Sequence, residues 1–143
     1  MTVSLLDANV LIALADQDHL FAKEARDWFK TTGASGFATC PLTENALVRI
    51  MANKSYPSGA RPVGLLLEIL REYRKLPGHR FWPDDISLCD LELFSPEMLQ
   101  RSADVTDSYL LALAVRNNGR LATFDRKLTG ATVIGGPQAI VYI

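Results

Sequence analysis

The sequence predicts a three-layer α/β/α fold, in which helices cover both faces of a central, mostly parallel sheet. Short apolar segments alternate with longer segments of helical periodicity, as in strands joined by helical crossovers. The chain has 143 residues, of which 48% are hydrophobic, enough to bury a core of its own. Because no repeat, low-complexity segment or long linker divides the sequence, we expect a single domain over residues 1–143.

The predicted strands are short apolar runs bounded by acids or turn residues. The first of them ends at Asp7, the second at Pro41, and the run LATF at Asp125. The six candidates are residues 3–6, 37–40, 80–83, 120–124, 132–134 and 140–142.

The predicted helices carry apolar side chains at intervals of three and four residues. Residues 105–118 show this spacing most clearly, and Gly119 is expected to end that helix. The five candidates are residues 9–15, 19–31, 42–53, 63–76 and 105–118. The helix at 63–76 contains LLLEIL, which is more apolar surface than one core-facing stripe needs, so we expect a partner to cover the excess.

The charge is nearly balanced overall but unevenly distributed. The formal net charge is −1 and 22% of residues are charged, which argues against a disordered chain and a uniformly basic nucleic-acid binder. Residues 49–80, however, contain seven basic and two acidic side chains, a local charge of +5 that leaves −6 for the rest. This asymmetry fits a polyanion bound on one face and cations on another, and it also fits solvated helix faces.

The sequence has the features of a cytoplasmic protein without a membrane anchor. It lacks an apolar run of about 18 residues and a signal-peptide pattern at its N-terminus. Cys40 and Cys89 have no zinc-ligand spacing and are expected to be reduced, buried thiols. His19 and His79 have no partners at ligand spacing, so we expect surface or helix-capping roles.

Four acids map to one edge of the predicted sheet, where ligands of parallel sheets bind. They follow strands or open the helices: Asp7, Glu44, Asp107 and Asp125. Each acid has an alternative role as a helix cap, a turn residue or a partner of a helix dipole. Their convergence is better explained by a cation, because packed like charges raise one another's pKa and destabilise a fold.

The ligand type indicates the metal and the reaction. Carboxylates with spare positions for water suit Mg²⁺ or Mn²⁺ better than zinc. One or two such ions would activate a water and hold a phosphate. The predicted reaction is therefore in-line hydrolysis of a phosphodiester bond.

Three segments of the sequence resemble a known family. LLDANVLIAL, PLTENALVRI and DVTDSYLLALAVRNNGRLATFD are similar to the successive motifs of PIN-domain ribonucleases, in particular the VapC toxins of VapBC toxin–antitoxin pairs. The resemblance extends from Ser4 to Asp125. It implies a five-stranded parallel sheet, a metal-dependent endoribonuclease that cuts tRNA or rRNA, a homodimer, and a VapB-like antitoxin whose tail occupies the active-site groove.

The resemblance also implies roles for particular residues. The acidic site residues, which are expected to be catalytic and to bind metal, correspond to Asp7, Glu44, Asp107 and Asp125. Residues that orient these carboxylates correspond to Asn9 and Thr123. Asp104 lies outside the pattern and is expected to cap a helix. The basic segment would bind RNA backbone, with Arg49 and Lys54 as the expected contacts.

We expect the four acids to differ in their roles. Asp7 and Asp107 should be direct metal ligands, because they lie on the most rigid elements. Glu44 and Asp125 should complete the site, either directly or through water.

Two alternative functions were compared with this prediction. A phosphoacceptor signalling domain needs an acceptor Asp ending a middle strand and a Lys ending a late one, and the sequence offers neither clearly. A non-catalytic PIN-like module that acts only through a partner remains open. The presence of all four acids counts against it.

Overall fold

The computed structural model describes residues 2–143, and its centre is a five-stranded sheet in the order β3-β2-β1-β4-β5. The strands are β1 (Ser4–Leu6), β2 (Phe37–Thr39), β3 (His79–Phe81), β4 (Arg120–Thr123) and β5 (Ile140–Tyr142). Every neighbouring pair is parallel, so all strands have their carboxyl ends at one edge of the sheet. The predicted three-layer α/β/α architecture is confirmed, with a fully parallel sheet.

Five α-helices connect these strands. They are α1 (Ala8–Ala15), α2 (Ala22–Thr31), α3 (Pro41–Met51), α4 (Val63–Arg74) and α5 (Val105–Arg116). The two faces of the sheet carry separate cores, because successive strand residues point in opposite directions. Leu5 and Leu121 pack with α5, whereas Leu6 and Ala122 pack with the buried sides of α1, α3 and α4.

The predicted strand at 132–134 is wrong. Val133 forms only an isolated antiparallel bridge with Phe94, outside the sheet. Of the two strand candidates that follow β4 in sequence, Ile140–Tyr142 is the one that pairs with β4 in the sheet. The apolar, β-branched residues at 132–134 therefore stabilise a loop instead of forming a strand of the sheet.

The end of α5 differs in detail from the prediction. Asn118, not Gly119, adopts the left-handed backbone, with φ 55°. The Gly119 amide donates to the Ala114 carbonyl at 2.8 Å. A Cβ at Gly119 would lie 2.5 Å from the Val3 carbonyl oxygen, so glycine is needed here for a close approach to β1.

Two predictions about exposure have different outcomes. Cys40 is buried as expected, but Cys89 is exposed, because it lies in the irregular connection between β3 and α5.

On α4, Leu66 and Leu70 are buried, whereas Val63, Leu65 and Leu67 are exposed. Among residues 2–143, the structure contains no helix with the length and hydropathy of a membrane span.

Candidate active site

The four acids lie at the carboxyl edge of the sheet. Asp7 directly follows β1, and Asp125 lies two residues beyond β4. Glu44 and Asp107 are in the first turns of α3 and α5. Since α3 starts where β2 ends and α5 leads back to the start of β4, both first turns lie at this same edge.

Asp7 is a buried carboxylate that β4 holds in place. It is only 7% exposed, and Thr123, the last residue of β4, donates its hydroxyl hydrogen bond to Asp7 Oδ2 at 2.9 Å. The same Thr123 oxygen accepts from the Asp125 amide at 3.0 Å. Burial raises the pKa of Asp7 and the nearby Asp125 charge raises it further, although the hydrogen bond from Thr123 opposes them.

Asp107 lies close enough to Asp7 and Asp125 for their charges to affect its pKa. Burial and, to a smaller extent, the charges of Asp7, Asp125 and Asp104 together raise the pKa of Asp107 to about 6. Among residues 2–143, no Lys, Arg or His side chain forms an ion pair with Asp7, Asp107 or Asp125. These three carboxylates, here called the aspartate cluster, therefore repel one another without a compensating side chain.

The donors of the aspartate cluster fit a hard divalent cation. All of them are carboxylate oxygens, and among residues 2–143 no basic side chain forms an ion pair that would neutralise their charge. The part of the chain described here contains no group of three His, Cys, Asp or Glu side chains already converged as a metal site. The aspartates are thus close enough to interact but are not closed around a single point.

Glu44 lies in a separate network. Thr39, the buried last residue of β2, donates to Glu44 Oε2 at 2.6 Å and also bonds His79 Nε2 at 2.7 Å. Because the Thr39 proton is committed to the carboxylate, His79 must be the donor in the second bond. Arg74 also donates to Glu44 Oε2, at 2.6 Å.

The charge of Glu44 is compensated, in contrast to the aspartate cluster. The Arg74 guanidinium pairs with Glu44 and lies over the Phe81 ring, 4.5 Å from its centroid. Burial lowers the pKa of His79, and the Arg74 charge lowers it further, so the imidazole is neutral near pH 7. Within the described residues, Oε1 of Glu44 accepts no hydrogen bond and is free to contact a ligand.

The other predicted site residues have different positions. Thr123 contacts Asp7, whereas Asn9 is exposed on α1 and, among residues 2–143, its side chain bonds no carboxylate. Arg49 and Lys54 are exposed at the far end of α3 and beyond it. Since a helix rises about 1.5 Å per residue, Arg49 is displaced by about 7.5 Å from Glu44 along the axis of α3, and Lys54 lies beyond the end of this helix.

Asp104 and His79 make contacts that were not expected of them. Asp104 occupies the N-cap position of α5 as expected, but its side chain makes no capping hydrogen bond and instead forms an ion pair with Arg101 at 3.6 Å. His79 is in β3 and belongs to the Glu44 network rather than to a cap or a free surface.

Sequence reasoning missed three residues of the Glu44 network: Thr39, His79 and Arg74. Thr39 had a usable signal, because it ends a strand before an acid just as Thr123 does. His79 and Arg74 had none, because their contacts depend on β3 lying beside β2 and on α4 packing against α3.

Comparisons with known proteins agree with this architecture. A family model described as PIN domain matches residues 4–132. Ribonuclease VapC44 of Mycobacterium tuberculosis (strain ATCC 25618 / H37Rv) is 37% identical over 135 residues, which cover 94% of each chain. Ribonuclease VapC39 of the same strain is 38% identical over 132 residues, covering 92% of this chain and 95% of the relative. Ribonuclease VapC38 of that strain is 39% identical over 123 residues, covering 86% and 85% respectively. The chain therefore belongs to the PIN domain family, among its VapC ribonucleases.

Proposed function

We propose that this protein is a divalent-metal-dependent endoribonuclease that acts as the toxin of a toxin–antitoxin pair. Its substrate would be a tRNA or an rRNA, and its cofactor one or two Mg²⁺ or Mn²⁺ ions. The observation that carries this proposal is the aspartate cluster, which places three uncompensated carboxylates at the ligand-binding edge of a PIN fold.

The proposed roles follow from the contacts of each acid. Asp7 and Asp107 would be the main metal ligands, because Asp7 is fixed by Thr123 and Asp107 by the first turn of α5. Asp125 would complete the set, and Glu44 would contribute through its free Oε1. A bound divalent cation would lower the pKa of water and offset the charge of a phosphodiester. None of the four carboxylates then has to act as the general base.

The proposed partners are RNA, a VapB-like antitoxin and a second copy of the chain. The exposed apolar residues of α4, Val63, Leu65 and Leu67, would lie in the interface between copies. We place the protein in the cytoplasm, where its RNA substrate is found, and treat residues 1–143 as one domain.

The test is cleavage of total cellular RNA by purified, metal-stripped protein, with and without added Mg²⁺ or Mn²⁺. New 5′ ends are mapped by sequencing, so the same assay identifies the target. We expect discrete cuts that require both the metal and Asp7, and Asp7→Asn abolishes them. Glu24→Gln, which removes an exposed acid on α2, is the matched control and keeps full activity.

Two results would contradict the proposal. Cleavage by Asp7→Asn at the wild-type rate would show that the aspartate cluster is not catalytic. No cleavage by folded, antitoxin-free protein under either metal would favour the non-catalytic interaction module.

A further inference from the structure

A cavity of about 140 Å³ lies directly beside the aspartate cluster. Its walls come from the residues before α5, from α5 itself and from the loop that follows β4. The lining residues that bear on its ligand are Arg101, Asp104, Ser108, Asp125, Lys127 and Thr132. Because Asp125 belongs both to this cavity and to the aspartate cluster, a group in the cavity adjoins the reaction site.

The cavity is built by fixed loop contacts. The Ser95 amide donates to the Thr132 carbonyl at 2.9 Å, and the Ser108 and Thr132 hydroxyls bond one another at 2.7 Å. Gly130 has φ 82°, and a Cβ there would lie 2.6 Å from the Pro137 nitrogen, so the loop packs tightly behind the cavity. Such contacts indicate a preformed site.

The side chains around the cavity present both donors and acceptors. Arg101 and Lys127 supply positive charge, and within the described part of the chain Lys127 forms no ion pair. Asp104, which pairs with Arg101 at 3.6 Å, and Asp125 supply negatively charged hydrogen-bond acceptors. Phosphate oxygens require donors, whereas ribose hydroxyls can donate to a carboxylate.

The size of the cavity restricts its ligand. Sites for whole drug-sized ligands occupy about 300–1,000 Å³. A cavity of about 140 Å³ holds a part of a nucleotide rather than several linked ones. The combination of cations, an acceptor and small volume matches a sugar with its phosphate.

We propose that this cavity binds the phosphate and ribose of the nucleotide next to the cleaved bond. Lys127 and the terminal guanidinium nitrogens of Arg101 contact the phosphate, and Asp104 Oδ1 accepts the ribose 2′-hydroxyl, the group that distinguishes RNA from DNA. The ion pair between Arg101 and Asp104 uses only Nε and Oδ2 and therefore leaves these atoms for the ligand. The position relative to the cleaved bond rests on the proposed nuclease function. The binding of a sugar phosphate does not.

The test is an NMR titration of the full-length, metal-free protein labelled with ¹⁵N. The probes are ribose 5-phosphate, 2-deoxyribose 5-phosphate and inorganic phosphate. We expect ribose 5-phosphate to shift the amide signals of residues 127–132 and to bind at least about threefold more tightly than its deoxy counterpart, as the loss of one hydrogen bond predicts. Lys127→Ala should raise its dissociation constant about fivefold, and Asp104→Ala, which removes the acceptor oxygens, should abolish the preference for ribose. Lys30→Ala, which removes an exposed cation on α2, is the control and leaves binding unchanged.

A kinetic measurement then places the cavity relative to the reaction. On the RNA cut by the wild-type protein, Lys127→Ala should raise KM about fivefold and leave kcat within twofold, because the carboxylates are untouched. Unshifted signals at residues 127–132, or equal binding to wild type and Lys127→Ala, would overturn the subsite. Inactive protein that still binds ribose 5-phosphate at these residues would overturn only its placement beside a cleaved bond.

Discussion

Replacing Asp107 with Asn should stabilise the metal-free protein at neutral pH. The pKa of Asp107 is raised from its ordinary value of 3.8 to about 6, first by burial and then by the neighbouring aspartate charges. At about 1.4 kcal/mol per pKa unit, this corresponds to roughly 3 kcal/mol of destabilisation when the group is ionised. Asp107 is partly exposed, so solvent screening reduces the expected effect to about 1–2 kcal/mol.

The sign of the pH dependence of stability follows from the raised pKa of Asp107. Between about pH 4 and pH 6 the folded protein binds more protons at Asp107 than the unfolded chain does. Stability therefore falls as the pH rises through this window, and the full penalty is present above it. Asp107→Asn removes the titrating group and hence this part of the pH dependence.

The assay is urea unfolding of both proteins in EDTA at pH 5.0 and pH 7.5. We expect Asp107→Asn to gain about 1–2 kcal/mol over wild type at pH 7.5 and much less at pH 5.0. Glu24→Gln should stay within about 0.5 kcal/mol of wild type at both values. If Asp107→Asn is less stable than wild type, with the same slope against pH, the aspartates do not repel one another as argued.

Addition of metal tests whether Asp107 is a metal ligand or only a destabilising charge in the folded protein. If the aspartate cluster holds Mg²⁺, a concentration 100-fold above the dissociation constant stabilises wild type by about 2.7 kcal/mol. The gain in Asp107→Asn should be smaller because a ligand is missing. An equal gain in both proteins would place the bound ion elsewhere.

Three further substitutions test other contacts. Thr123→Val should lower RNA cleavage about 10–100-fold, measured as kcat/KM, because Asp7 loses its orienting hydrogen bond. Asp16→Ala should lower the free energy of unfolding, measured in urea, by about 3–5 kcal/mol. The substitution removes a carboxylate with 1% side-chain exposure and leaves its partner Arg61 without a counter-charge. An unchanged free energy of unfolding would contradict this. Gly119→Ala should lower the melting temperature by several degrees through its clash with β1, and an unchanged value would show that the chain relaxes there.

The sequence was sufficient to predict the layers of the fold and the position of the acids. Helical periodicity and short apolar runs located five helices and five strands, and parallel strands place their carboxyl ends together. The periodicity of the sequence does not determine the order of the strands in the sheet, however. The contact of His79 with Thr39 arises only because β3 lies beside β2, so no local pattern predicted it.

Local sequence patterns also gave a wrong prediction where a segment could form either a strand or a loop. Residues 132–134 have the composition of a strand, but hydrogen bonds from Ser95 and to Leu93 hold them in a loop instead. Arg49 and Lys54 follow Glu44 in sequence, but among residues 2–143 neither contacts its carboxylate, and their contact with RNA stays a prediction. Arg74, thirty residues beyond Glu44, is the basic side chain that contacts it.

The site uses the same structural device twice, with opposite electrostatic results. A buried threonine ends β4 and bonds Asp7, and another ends β2 and bonds Glu44. In both cases the sheet, rather than a loop, orients the carboxylate. Arg74 then compensates the charge of Glu44, whereas no basic side chain in residues 2–143 forms an ion pair with the aspartate cluster. The unfavourable charge is therefore concentrated at the position where a cation would gain most by binding, and the surrounding sheet is rigid enough to hold it there.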